Sequence, residues 1–130
     1  MSRIKGSNTG PERIVRSILH RMGYRFRLHR KDLPGKPDIV LPKFKTVVFV
    51  NGCFWHRHKG CKDATLPKTR RDFWRTKLEG NVLRDMVKNR SVRHLGWRVI
   101  VVWECETAKP EQLILRLGRL LPPSAHLKGR

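Results

Sequence analysis

Seven residues separate Cys53 from Cys61, His56 and His58 lie between them, and Cys105 stands far downstream in the chain. Zinc needs four nitrogen or sulfur ligands at tetrahedral corners, and a local group joined by a distant one is a common way to supply them. Cys53, His58, Cys61 and Cys105 make such a Cys₃His set and leave His56 free. A site closed by protein ligands would staple a loop and take no part in catalysis. The competing reading is three free cysteines packed as small apolar side chains.

A second group could do chemistry with a harder cation. Asp38 follows Pro37 and opens an apolar run, and after a short turn comes Val47-Val48-Phe49-Val50-Asn51. A carboxylate at the start of one strand, with further oxygen ligands near the end of its partner, suits a Mg²⁺ that bridges a phosphate and a water. In a plain hairpin of this length Asp38 would lie beside Asn51. Asn51 offers an oxygen without charge, neutral His56 could accept a proton from water as a general base, and Glu12 could orient either partner. By itself Asp38 reads better as a turn aspartate after Pro37, and it is the residues near Asn51 that change this. Glu12 also fits a helix-capping box with Thr9.

Phe54 and Trp55 sit between the proposed zinc ligands, and Trp74 lies beside Lys68, Arg70, Arg71 and Arg75. Aromatics among cations suit stacking on bases or wedging between them. Packing over the loop as core is the alternative. Trp97 and Trp103 fall in a strand pattern and read as structural.

These residues need a scaffold to position them. Ile14, Val15, Ile18, Leu19 and Met22 mark one face of a helix over 10–22, ended by Gly23. Tyr24, Phe26 and Leu28 alternate with Arg25, Arg27 and His29, the pattern of a half-buried strand with a basic outer face. Residues 36–41 and 46–51 read as strands joined by a turn at 42–45, the second apolar enough to be central. A helix follows over 72–95, with Phe73, Leu78, Val82, Met86, Val87 and Leu95 as its core face and a break expected at Gly80-Asn81. Then come a strand over 97–103 and a helix over 110–121 with Leu113, Ile114, Leu117 and Leu121 inward. The order α-β-β-β-α-β-α predicts one mixed sheet flanked by helices. The expected organisation is a single domain over 1–121, its first eight residues a short basic arm, followed by a flexible tail at 122–130.

With 130 residues the chain can bury a core of its own. Lys and Arg number 30 against 10 Asp and Glu, a net charge of +20. That field favours a polyanion, with nucleic acid first, a membrane surface second and a ribosomal or chromatin-like role third. The membrane reading finds no apolar run long enough to span and no secretory pattern. Thiols kept for a metal imply a reducing, intracellular location.

Thr9-x-x-Glu12, Leu33-Pro34-Gly35-Lys36-Pro37-Asp38, Val48 through His56, Phe73-Trp74, Asn81-x-x-x-Asp85 and Gly96-Trp97-Arg98-Val99 through Trp103-Glu104-Cys105 together resemble the very-short-patch-repair DNA mismatch endonucleases. The resemblance covers about 1–121. It implies a restriction-endonuclease-like α/β/α fold with a central mixed β-sheet and a zinc-stapled loop. It implies a Mg²⁺-dependent nick 5′ of the thymine at T·G mismatches left by deaminated 5-methylcytosine. Asp38 would be the catalytic Mg²⁺ carboxylate, joined by the Val50 carbonyl. His56 would be the general base, Glu12 a supporting acid, and Cys53, His58, Cys61 and Cys105 the structural zinc ligands. Phe54, Trp55 and Trp74 would wedge into the DNA. The implied partners are double-stranded DNA with a T·G mismatch and the mismatch-repair proteins. The implied state is a monomer in a bacterial cytoplasm at the nucleoid, with no membrane. At Val50-Asn51 the chain departs from the Thr-His of the family's best-known members. Two rival functions stay open: a nuclease of the same fold without mismatch specificity, and a non-catalytic zinc-stabilised DNA-binding module.

Overall fold

The computed structural model describes residues 10–122, apart from the side chain of Asp63. The Thr9 cap, the arm at 1–8 and the tail beyond Pro122 lie outside the described residues. Helices α1 (Gly10–Arg21), α2 (Arg71–His94), α3 (Glu104–Thr107) and α4 (Pro110–Leu120) surround strands β1 (Arg27–Leu28), β2 (Ile39–Leu41), β3 (Thr46–Asn51) and β4 (Arg98–Trp103). The sheet order is β1-β2-β3-β4. The first two pairings are antiparallel and β3 pairs parallel with β4, so the sheet is mixed.

β3 is interior, as its unbroken apolar run predicts, and Val47 and Val48 are wholly buried. Side chains alternate across a strand, so each strand feeds two cores. On one face Ile39, Leu41, Val48, Ile100 and Val102 pack with Val15, Ile18 and Leu19 of α1 and Leu113 and Leu117 of α4. On the other, Val40, Val47 and Phe49 meet Leu33 and Val92 of α2. Helices therefore cover both faces, giving three layers.

The structure differs from the sequence pattern in three places. The strand expected over 24–29 pairs only at Arg27 and Leu28, because β2 offers three residues to partner it and His29 turns into the left-handed region at φ 50°. Tyr24 is still buried, and its hydroxyl donates to the Pro122 carbonyl. Gly80-Asn81 does not split α2. The expected core face of α2 forms only in part: Leu78 is buried as expected and Val82 is half-buried, while Phe73, Met86, Val87 and Leu95 are exposed and Val92 is the other buried residue. A helix of 24 residues spans roughly 36 Å, well beyond the sheet strands it packs against. Third, α3 begins immediately after β4, where no helix is expected. Glu106 accepts the Trp103 amide at 2.9 Å and holds Arg116 of α4 at 2.7 Å, which fixes the turn.

Candidate active site and metal centre

The parallel register explains how two distant cysteines meet. Asn51 stands opposite Trp103, so Cys53 and Cys105 each follow two residues beyond the same rung. The Cys105 amide points at Cys53 Sγ at 3.4 Å. The loop after β3 turns back on itself, the His58 amide donating to the Cys53 carbonyl at 2.9 Å. This brings His58 Nδ1 to 3.6 Å from Cys53 Sγ and 3.5 Å from Cys105 Sγ. The ring stacks on Trp103 at 4.2 Å. With Cys61, one donor atom from each of the four residues lies within 4.8 Å of the others, a Cys₃His cluster that could hold a metal ion. Burial pushes the Cys53 thiol up to about 12, and burial raises Cys105 as well. Thiolates so disfavoured need a cation to form, which is the service zinc supplies to a tetrahedral sulfur set.

A second cluster gathers at the start of β2. Ile39 pairs with Val48, so Asp38 is level with Phe49 rather than beside Asn51, and its Oδ2 accepts the Val50 amide at 2.7 Å. Glu12, His29 and Asp38 each place one donor atom within 4.8 Å of the other two. His29 Nε2 lies 2.6 Å from Glu12 Oε2. Glu12 is only 2% exposed. Burial, above all, lifts the Asp38 carboxyl to about 6, the Glu12 charge adds to the rise, and the Val50 amide opposes it. Two carboxylates and an imidazole, one carboxylate buried and the other two groups half-buried, make a place where a cation is welcome.

His56 and Trp55 are gripped from α2. His56 Nδ1 lies 2.5 Å from Asp85 Oδ2, and Asn81 Nδ2 donates to the Trp55 carbonyl at 2.9 Å. Asn81 and Asp85 are four apart and share one helix face. A carboxylate on Nδ1 fixes the ring and its tautomer, leaving Nε2 to exchange a proton.

Phe54, Trp55 and Trp74 form one edge-to-face cluster, with centroids 5.2 Å apart for Phe54–Trp55, 5.6 Å for Phe54–Trp74 and 6.0 Å for Trp55–Trp74. Phe73 joins Trp74 and carries the Arg70 guanidinium over its ring at 4.2 Å. Phe54, Trp55 and Trp74 are all partly exposed, so the group is neither core nor free loop.

The structure thus joins Glu12 to Asp38, seats Val50 on Asp38, and gathers the four proposed zinc ligands. Asn51 pairs across to Trp103 and is mostly buried, two residues beyond the rung of Asp38. Three residues without an assigned role in the sequence enter these sites: His29, Asn81 and Asp85. The i, i+4 spacing of Asn81 and Asp85 is a usable signal. His29 carries none, since its alternation with Leu28 points it to solvent.

The fold and its sites define a mixed α/β protein with a basic surface, one Cys₃His cluster and one carboxylate–imidazole cluster. The family model described as "DNA mismatch endonuclease Vsr" matches residues 1–63. A type II nicking enzyme of Xanthomonas oryzae pv. oryzae, V.XorIIP, is 53% identical over 95% of this chain and 90% of its own length. A type II nicking enzyme of Neisseria meningitidis, V.NmeAIP, is 44% identical over 93% of the chain and 86% of its own length. The DNA mismatch endonuclease Vsr of Escherichia coli K12 is 40% identical over 87% of the chain and 72% of its own length. The chain belongs to the Vsr DNA mismatch endonuclease family. No helix among the described residues is long and apolar enough to cross a membrane.

Proposed function

We propose that the chain nicks one strand of duplex DNA 5′ of the thymine at T·G mismatches, using Mg²⁺ at Asp38 on a restriction-endonuclease-like α/β/α frame stapled by zinc. The observation that carries this reading is the half-buried Asp38, held by the Val50 amide inside a cluster able to take a cation. Asp38 and the Val50 carbonyl would hold the ion, with Glu12 behind them. Bound there, Mg²⁺ would supply charge stabilisation for the phosphate and the leaving oxygen. His56, fixed by Asp85, takes the proton of the attacking water. Asn51 holds a water by hydrogen bonding. Cys53, His58, Cys61 and Cys105 keep the loop in shape for His56 and the aromatics. Phe54, Trp55 and Trp74 supply a face for unstacked bases, and the +20 charge supplies the hold on the backbone.

Mismatch direction is supported by the E. coli relative, whose name carries it. Two relatives named as type II nicking enzymes favour a second reading, nicking without dependence on a mismatch. End-labelled duplexes identical except for T·G or T·A, incubated with Mg²⁺, separate them. The first reading expects the T·G strand to be nicked roughly a hundredfold faster. Equal rates would establish the second, and no cutting with any divalent cation would sink both.

A further inference from the structure

His29 stands outside every role assigned above, yet its ring sits in the cation cluster. Its backbone shows how it gets there. β1 ends at Leu28, and the His29 amide continues the ladder by donating to the Asp38 carbonyl at 3.2 Å. At φ 50° the chain then leaves the strand, and the ring comes to rest with Nε2 at 2.6 Å from Glu12 Oε2. The residue is therefore clamped by its main chain to one carboxylate-bearing residue and by its side chain to the other.

We propose that His29 is a nitrogen ligand of the cation held at Asp38, making a Glu12–His29–Asp38 donor set that prefers a transition-metal dication such as Mn²⁺ to Mg²⁺. The proposal rests on the reading of Asp38 as the cation site. The donors of all three residues lie within 4.8 Å of one another. Adjacent ligands around an octahedral dication stand roughly 3 Å apart, so the set reaches that spacing by small movements. Imidazole discriminates where carboxylates do not: Mg²⁺ keeps to oxygen donors and its own waters, whereas the first-row transition dications accept a nitrogen, Mn²⁺ least avidly and the later metals increasingly so. Without a metal, the His29–Glu12 contact satisfies a carboxylate that is 2% exposed. With one bound, Nε2 would offer its lone pair to the ion and the ring proton would sit on Nδ1. The His29 side chain is itself 30% exposed, so water reaches part of it.

The test uses the zinc-loaded full chain with Mn²⁺ alone as probe, read by electron spin echo modulation and by titration. Wild type is expected to show ¹⁴N modulation on Mn²⁺, and His29→Gln is expected to lose it. The variant should also bind Mn²⁺ roughly tenfold more weakly while Mg²⁺, measured by displacement, changes by less than about twofold. Modulation that survives in His29→Gln, or that is absent from wild type, overturns the proposal, as does modulation lost in His56→Gln instead. Asp38→Asn separates the two layers of argument. If it binds Mn²⁺ as wild type does, the cation site itself is misplaced. If it fails to bind while His29→Gln is unaffected, only the role of His29 falls. Zinc content and melting temperature report whether His29→Gln folds. Should it not, [¹⁵N]histidine labelling of the His56→Gln protein decides, since ¹⁴N modulation unchanged by the label excludes a histidine ligand.

Discussion

The Val50 amide donates to Asp38 Oδ2 at 2.7 Å, and this one bond sets the carboxylate against the far end of its neighbouring strand. It does not offset the burial of the group, whose pKa stands at about 6 instead of 3.8. Between those values the folded protein holds a proton that the unfolded chain has released, so stability falls as pH rises from about 4 to 6 and stays lowered above. Asp38→Asn keeps an oxygen for the Val50 amide and removes the charge. It is expected to abolish nicking while stabilising the metal-free protein at pH 7 by up to about 3 kcal/mol. The gain should shrink toward zero near pH 4 and be smaller when Mg²⁺ is present. Urea unfolding of both proteins from pH 4 to 7.5 measures it, and a pH-independent difference would refute the assignment of cause.

The pair at 2.5 Å between His56 and Asp85 makes a different prediction. His56→Ala should lower single-turnover nicking by roughly 10²–10⁴-fold, the usual contribution of a general base. Asp85→Asn leaves the imidazole in place but removes the carboxylate that orients it, so its loss should be smaller. DNA affinity should stay within about twofold of wild type, since neither side chain is a stacking surface. If Asp85→Asn weakens binding and rate alike, the pair is holding the loop and not tuning a base.

What can be read from the sequence depends on range. Thr46–Asn51 declares itself as a buried central strand, because a run of apolar β-formers needs no partner information to be recognised. The Cys₃His set is legible for a similar reason, since thiols and imidazoles at ligand spacing seldom gather for packing alone. The register that joins Cys53 to Cys105 is not legible, since it depends on β3 pairing parallel with β4. His29 escapes the pattern because alternation assumes a strand that continues, and β1 stops one residue earlier. On α2, Met86 and Val87 resemble a core stripe, but a helix that overhangs its sheet leaves such residues in water. Apolar periodicity reports a face and not what covers it.

The Cys₃His cluster ties the end of β3 to the start of α3 through four donors within 4.8 Å. Cys105→Ser removes the proposed ligand that belongs to the distant segment and should release one equivalent of zinc per chain. A metal-coupled loss of even a few kcal/mol should lower the melting temperature by roughly 10 °C or more. Nicking should fall with it, because His56 rides on the same loop. Zinc by elemental analysis and melting by circular dichroism check both parts. Full zinc content in the variant would show that Cys105 is a packed thiol and no ligand.

Trp74 touches both Phe54 and Trp55, so its removal should uncover the whole aromatic surface and not one ring. Stacking of a base on such a surface contributes about 1–3 kcal/mol, so Trp74→Ala should weaken binding to a T·G duplex by roughly tenfold or more. The salt dependence of that binding should not change, because no phosphate contact is lost. The neighbouring cations predict the opposite pattern. Lys68→Ala should weaken matched and mismatched duplexes alike and lower the slope of log affinity against log salt by about one. Both can be read by fluorescence anisotropy in the Asp38→Asn background, where the DNA stays uncut. If Trp74→Ala weakens matched and mismatched duplexes equally, the aromatics hold the loop together and leave recognition of the mismatch to other residues.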